Sequence, residues 1–274
     1  MKSYKYIFIV LVYKNTDDIC SLLESIKKNV NNYKIIIVNG YYDDATKNDF
    51  MEIANKYNCD FLNIPNKGYG YGNNKGINYI QRKYEYEFII VSNPDIEIEK
   101  FNDVNFYKHS KNVIGPMIKT QSGKKQNPYW SNKFDFTEYL IYLGYKKDIK
   151  LFRYIGIVIN KIIRELSLLS FGISRKQDKI VFALHGSFII FSKYIVEKFM
   201  PLYDEKMFLF GEEAYLAHRF CQAKISSYIT KDIQVLHKED GSISISNINT
   251  NKEASKSVIY YYEKLKGKDF KDGN

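Results

Sequence analysis

A chain of 274 residues with 45% apolar and 16% aromatic side chains is long enough to bury a sizeable core in one large domain. Its three cysteines, Cys20, Cys59 and Cys221, are widely spaced and form no CxxC pair, which argues against a disulfide framework or a structural zinc site and points to a reducing cytoplasm. The net charge of +10 is unevenly placed, and no window approaches the roughly 18 uninterrupted apolar residues of an ordinary membrane-spanning helix.

YIFIVLV at 6–12 reads as a buried strand, with no basic region feeding a long apolar stretch before it, so no secretory leader is expected. Thr16-Asp17-Asp18 reads as a helix N-cap region and ICSLLESIKKNV as the helix that follows. KIIIVN at 34–39 is a second strand, NDFMEIANKY a helix, CDFLNIP at 59–65 a third strand, GINYIQRKY a helix and EFIIVSN a fourth strand. Strands alternating with helices predict an α/β fold with a mostly parallel sheet flanked by helices, and ligands in such sheets sit beyond the C-terminal strand ends. Asp95 stands at such an end. Pro94 stops the strand and holds Asn93 extended, which places the carboxylate at the rim.

The segment NKGYGYGNNKGIN at 66–78 fails the GxGxxG spacing, because Asn73 and Lys75 occupy the places of the last glycine. It reads as a loop that lets backbone approach a ligand closely at Gly68, with Asn73 and Asn74 as amide donors or caps. Between Tyr139 and Lys179 nine Lys or Arg stand against three acids, interleaved with Leu140, Ile141, Leu143, Leu151, Phe152, Ile155, Ile159, Ile162, Ile163 and Leu166. That spacing predicts basic amphipathic helices, either lying on an anionic membrane surface or forming a helical insertion with a solvated charged face. VFALHGSFIIFSK at 181–193 reads as one strand with a Gly-Ser kink. MFLFGEEAYLAHRF then places Gly211, Glu212 and Glu213 at a helix start, where the macrodipole favours carboxylates. His237 ends an apolar strand before the polar turn KEDGS, and the lysine-rich tail from about Lys264 is expected to fray. His109, His185 and His218 carry no chemistry in this reading.

Seven stretches in this order resemble the GT-A type nucleotide-sugar transferases of glycosyltransferase family 2, particularly bacterial rhamnosyltransferase-like members that build cell-surface polysaccharides such as capsule, O-antigen or cell wall. They are IVLVYKN (9–15), IIIVNGYYDDAT (35–46), NKGYGYGNNKGI (66–77), VSNPDIEI (91–98), HGSFII (185–190), FLFGEEAYLAHR (208–219) and HKEDGS (237–242). The resemblance implies one GT-A domain with a donor-binding half at 1–125, a helical basic acceptor or membrane-facing segment at 126–180, and an acceptor-side half at 181–274. Asp95 resembles the last aspartate of a DXD-type motif, which binds a divalent cation bridging the donor diphosphate, with Asn93 replacing the first acid. Glu213 resembles the catalytic base, the second acid of a Gly-Glu-Asp motif whose aspartate is here glutamate, and Glu212 is the alternative. His237 matches the late metal-binding histidine, so Asp95 and His237 are expected to hold Mn2+ or Mg2+. Tyr13, Asp44, Lys67 and Asn74 fall where the family lines its nucleotide pocket. Asn39 occupies a place where relatives often have a base-contacting aspartate, and Gly40 replaces the usual asparagine.

The implied reaction is an inverting transfer from dTDP-rhamnose or a UDP-hexose to a saccharide acceptor carried on a lipid diphosphate, at the inner face of the cell membrane. One carboxylate removes the acceptor proton and a cation neutralises the leaving diphosphate. Rival classes are a nucleic-acid binder, a nucleotidyltransferase and a catalytically inactive sugar-binding scaffold. The first lacks any RNA- or DNA-binding motif and the second any basic glycine loop after the first strand, which continues YKNTDD. No nucleic-acid partner is expected.

Overall fold

The apolar run at 6–12 is the centre of β1 (Lys2–Val12), and the computed structural model, which describes residues 1–239 and 249–266, continues the expected alternation from there. α1 (Ile19–Asn29), β2 (Tyr33–Tyr41), α2 (Asp44–Lys56), β3 (Asp60–Pro65), α3 (Tyr69–Lys83) and β4 (Tyr84–Ser92) follow in order. β1 lies between β2 and β4, parallel to both, and β3 extends the sheet in parallel beyond β2. Tyr6, Phe8, Val10 and Val12 enter one core and Ile7 and Ile9 the other, so β1 is buried on both faces as a central parallel strand must be.

The glycine-rich segment departs from its reading as a loop, because α3 begins at Tyr69 inside it. Its glycines serve helix packing. A Cβ on Gly76 would stand 2.9 Å from Ile9 Cγ2, and one on Gly72 2.4 Å from Leu11 Cδ1, so α3 lies on the sheet more closely than any other residue type allows. Gly68, at φ +102°, is the residue that turns the chain into the helix.

Downstream come β5 (Ile96–Phe101), β6 (Val113–Thr120), α4 (Asp135–Lys146), α5 (Lys150–Ile173), β7 (Asp178–Val181), β8 (Phe188–Ser192), α6 (Lys193–Phe199), α7 (Glu212–Gln222), β9 (Ser227–His237) and α8 (Thr250–Lys266). The stretch 181–193, read as one kinked strand, is divided between β7 and β8, and the connection 182–187 crosses the rim of the sheet. β8 is antiparallel to β4 and β6, while β9 runs parallel to β6 and antiparallel to β5 and β7. The sheet is therefore parallel in its first half and mixed in its second, with nine strands among the described residues. It crosses all three expected divisions of the chain, since β7, which begins at Asp178 within 126–180, pairs with β9.

α4 and α5 form the helical pair expected in the basic segment. A Cβ on Gly156 would come within 2.7 Å of Thr137 O, which shows how tightly the two helices pack. The buried pair His218 Nε2 and Glu138 Oε1, 2.7 Å apart, fastens α4 to α7. Asp240, Gly241 and Ser242 of the last motif, and the tail beyond 266, lie outside the described residues.

Candidate functional site

The C-terminal ends of β1, β2, β4 and β9 and the starts of β5 and β8 share one rim, because the last two run antiparallel to their neighbours. A cleft of about 660 Å³ opens there, walled by Tyr13, Gly40, Asn66, Gly68 and Tyr69 on one side and by Asn93, Asp95, Tyr129, His185 and His237 on the other. Phe208 to Glu213 close its remaining wall.

β5 and β9 pair in a register that sets Ile96 opposite His237, so the strand ladder itself brings Asp95 beside the imidazole. Asp95 Oδ2 is 3.2 Å from His237 Nε2. The other ring nitrogen, Nδ1, is 2.6 Å from Gln126 Oε1, and the Gln126 amide is oriented by donating its Nε2 proton to Glu239 Oε1 at 2.8 Å. A carboxamide oxygen only accepts, so Nδ1 carries a ring proton and Nε2 is the nitrogen left to meet the Asp95 carboxylate. A ring nitrogen and a carboxylate oxygen at that separation are bridged by a proton or by a cation. Asp95 Oδ1 is also buried without a hydrogen-bond partner. An imidazole nitrogen and a carboxylate with an unused oxygen suit Mn2+ or Mg2+. No group of three His, Cys, Asp or Glu side chains is assembled as a protein cage among the described residues.

Half-buried His185 faces this pair, its ring centroid 5.8 Å from that of His237. Its Nδ1 accepts the Ser187 N–H at 3.2 Å. Burial, then the His237 ring and the Arg164 guanidinium, push its pKa down to about 3, against a smaller opposing pull from Asp95. The ring stays neutral and adds no positive charge beside a cation.

Across the cleft, Gly211 at φ +86° caps α7 in the left-handed region and sends Glu212 and Glu213 into the first turn. Glu213 Oε1 accepts the Gly186 N–H at 3.3 Å. Glu212 is buried, and its Oε1 has no partner. Burial, reinforced by the neighbouring Glu213, pushes the Glu212 carboxyl up to about 8, and burial also raises Glu213. Of the two, the glutamate with a backbone N–H on its carboxylate and access to the cleft gives up its proton more readily.

Among the residues singled out from sequence, Tyr13, Gly68, Asn93, Asp95, Glu212, Glu213 and His237 meet at this cleft, and four others do not line it. Asn39 lies beneath the lining, where its Nδ2 donates to Asn63 Oδ1 on β3. Asp44 points to solvent beside Lys47, because it is Asp43 that caps α2 by accepting the Thr46 N–H. Lys67 is exposed and lies over the Tyr71 ring. Asn74 is fully committed to the protein, accepting the Tyr203 N–H and donating to Tyr203 O and Glu205 Oε1. Gln126, Tyr69, Tyr129, His185 and the Phe208–Phe210 wall were not singled out. Tyr69, whose hydroxyl donates to Gly186 O, sat in a segment taken for loop. Of the unused histidines, His109 and His218 are held by Asp178 and Glu138 away from the cleft.

No family model matches the sequence, and no curated protein matches it. Solved structures do match in fold. GalNAc-T7 with UDP, GalNAc and Mn2+ aligns over 87% of this chain and 44% of its own at TM-score 0.62 and 11% identity. Staphylococcus aureus TarS aligns over 82% of this chain and 36% of its own, with TM-score 0.53 and 15% identity. Residues 1–349 of TarS with UDP-GlcNAc cover 95% of this chain and 67% of that one, with TM-score 0.55 and 12% identity. The chain thus spans less than half of the first two, and the likeness shows a GT-A fold.

Proposed function

We propose that this chain is an inverting, metal-dependent glycosyltransferase that moves a sugar from a nucleoside diphosphate to a saccharide hydroxyl. The observation that carries the reading is the buried Asp95–His237 pair, with Oδ2 and Nε2 3.2 Å apart at the rim of the cleft and Asp95 Oδ1 without a partner. Asp95 and His237 would hold the divalent cation, which when bound neutralises charge on the leaving diphosphate. Asn93 and the backbone around Gly68 flank the space for the diphosphate, and the Tyr13 ring flanks that for the base. Glu213 takes the proton of the acceptor hydroxyl as it attacks the anomeric carbon, while the Gly186 N–H holds the carboxylate in place. Glu212 keeps its own proton, so one base ionises without a second negative charge beside it. With one base and no protein nucleophile, a single displacement inverts the anomeric centre. Walls that fix donor and acceptor in line supply much of the remaining acceleration.

GalNAc-T7 was solved with UDP and TarS with UDP-GlcNAc, which favours a UDP-hexose donor over dTDP-rhamnose. The acceptor assignment, a lipid-linked saccharide of a surface polysaccharide, rests on the motif resemblance. The test is the thermal shift of the purified chain with UDP, dTDP, GDP or CDP, each with and without Mn2+, beside Asp95→Ala. One nucleotide with Mn2+ should raise Tm by about 5 °C at ~100-fold excess over Kd, and Asp95→Ala should lose that rise. No shift with any nucleotide would favour an inactive sugar-binding scaffold instead.

A further inference from the structure

The cleft makes no use of the outward face of α5, which departs from the usual pattern of a surface helix. Its 24 residues extend about 36 Å. The side turned to the protein is small or polar around its first turns, with Gly156 and Asn160 buried and the Asn160 amide oxygen accepting from Thr137 Oγ1, and it joins the core farther on through Leu168 and Phe171. The side turned to solvent is apolar. Leu151, Ile155, Ile162, Leu166, Leu169 and Ile173 are exposed, Leu166 by 63% and Ile173 by 88%, at steps of three, four or seven residues that align them on one stripe. Six aliphatic side chains in a row on the wrong face for a core call for an apolar partner.

Charge identifies it. Lys147, Lys150, Lys161, Arg175 and Lys176 are exposed on and beside this helix and make no ion pair among the described residues. The segment from Tyr139 to Lys179 holds nine Lys or Arg against three acids. A second copy docked on the same stripe by a twofold axis would set this positive surface against itself. An anionic lipid surface neutralises it while the acyl boundary takes the aliphatic stripe. No described helix is long and apolar enough to cross a membrane, which leaves a helix lying in the interface.

We propose that α5 is a membrane-surface anchor that lies along an anionic bilayer, with Leu151, Ile155, Ile162, Leu166, Leu169 and Ile173 in the headgroup–acyl boundary and the flanking lysines on lipid phosphates. The buried Glu138–His218 pair ties the hairpin to α7, so docking would fix the tilt of the Glu212–Glu213 wall relative to the surface. The inference is independent of the chemistry assigned to the cleft.

Flotation of the full chain with phosphatidylcholine vesicles, with and without phosphatidylglycerol, tests it in the absence of nucleotide. The wild type should float only with the anionic vesicles at low salt. Leu166→Asp/Leu169→Asp should weaken binding by at least about tenfold, and Lys147→Glu/Lys150→Glu/Lys161→Glu by about a hundredfold, at unchanged Tm because these side chains are exposed. Three results would overturn it: no flotation with either vesicle, equal flotation with both, or a dimer in vesicle-free sedimentation that Leu166→Asp/Leu169→Asp dissociates.

Discussion

Glu212 and Glu213 are consecutive residues in different surroundings, and that difference divides their roles. Both line the cleft, but Glu213 accepts the Gly186 N–H, whereas Glu212 is the more deeply buried and has an oxygen that nothing satisfies. Glu213→Gln should lower kcat by about a thousandfold or more, with donor-dependent thermal shifts retained. Glu212→Gln should leave turnover within roughly tenfold and the acid limb of the kcat/KM profile in place, because Glu212 is already uncharged where Glu213 ionises. The reverse pattern in the two variants would make Glu212 the base. The place of Asp95 at the rim was readable in the sequence because proline stops a strand in a way local chemistry dictates, whereas His237 stood out only through the motif resemblance. His185 did not, since a single histidine has no spacing to interpret. Asn74 and Asp44 were misplaced for a related reason: a polar side chain looks the same in sequence whether it faces a ligand, the solvent or, as in Asn74, the carbonyl of a distant loop.

At the scale of elements, α3 lies on β1 at glycine-only distance. Gly76→Val should destabilise the chain by about 3 kcal/mol in urea unfolding, because the added methyls meet Ile9 and Val38, both fully buried and without room to shift. An unchanged midpoint would mean that α3 lies farther from the sheet. Four glycines within nine residues signal a flexible loop by local propensity, and here tertiary contact overrides propensity. The division of 181–193 between two strands was hidden in the same way, since an unbroken apolar run does not say where its backbone changes partners. The first half of the fold was legible because β1 and β2 are buried on both faces and read as continuous apolar runs, each followed by a helix period.

For the molecule as a whole, the enclosed carboxylates set a pH dependence of stability. Glu212 holds its proton to about pH 8 when folded, but only to the ordinary carboxylate range near 4.3 when unfolded. Between those values the folded chain binds more protons, so stability falls as pH rises through that window. Neutral His185 works in the opposite sense, with most of its gain made below about pH 6.5, so in the interval from about 6.5 to 8 the buried carboxyls dominate, and Glu212→Gln separates Glu212 from Glu213. Calorimetry across that interval should show Tm falling in the wild type and a flatter curve for Glu212→Gln, higher by ~2–4 °C at pH 8. Equal slopes would mean that Glu212 is already ionised at pH 6.5. The position of β9 has a different consequence, one of timing. Asp95 and His237 stand on opposite sides of the α4–α5 hairpin in the chain, and β9, which delivers His237, is inserted between β6 and β5. Both of those strands leave the ribosome first, and β5 has no other strand partner among the described residues. The nascent chain therefore carries an open seam through most of its synthesis, and one late strand closes the seam and brings His237 to Asp95, so an unfinished chain would hold the donor-side wall but not the assembled site.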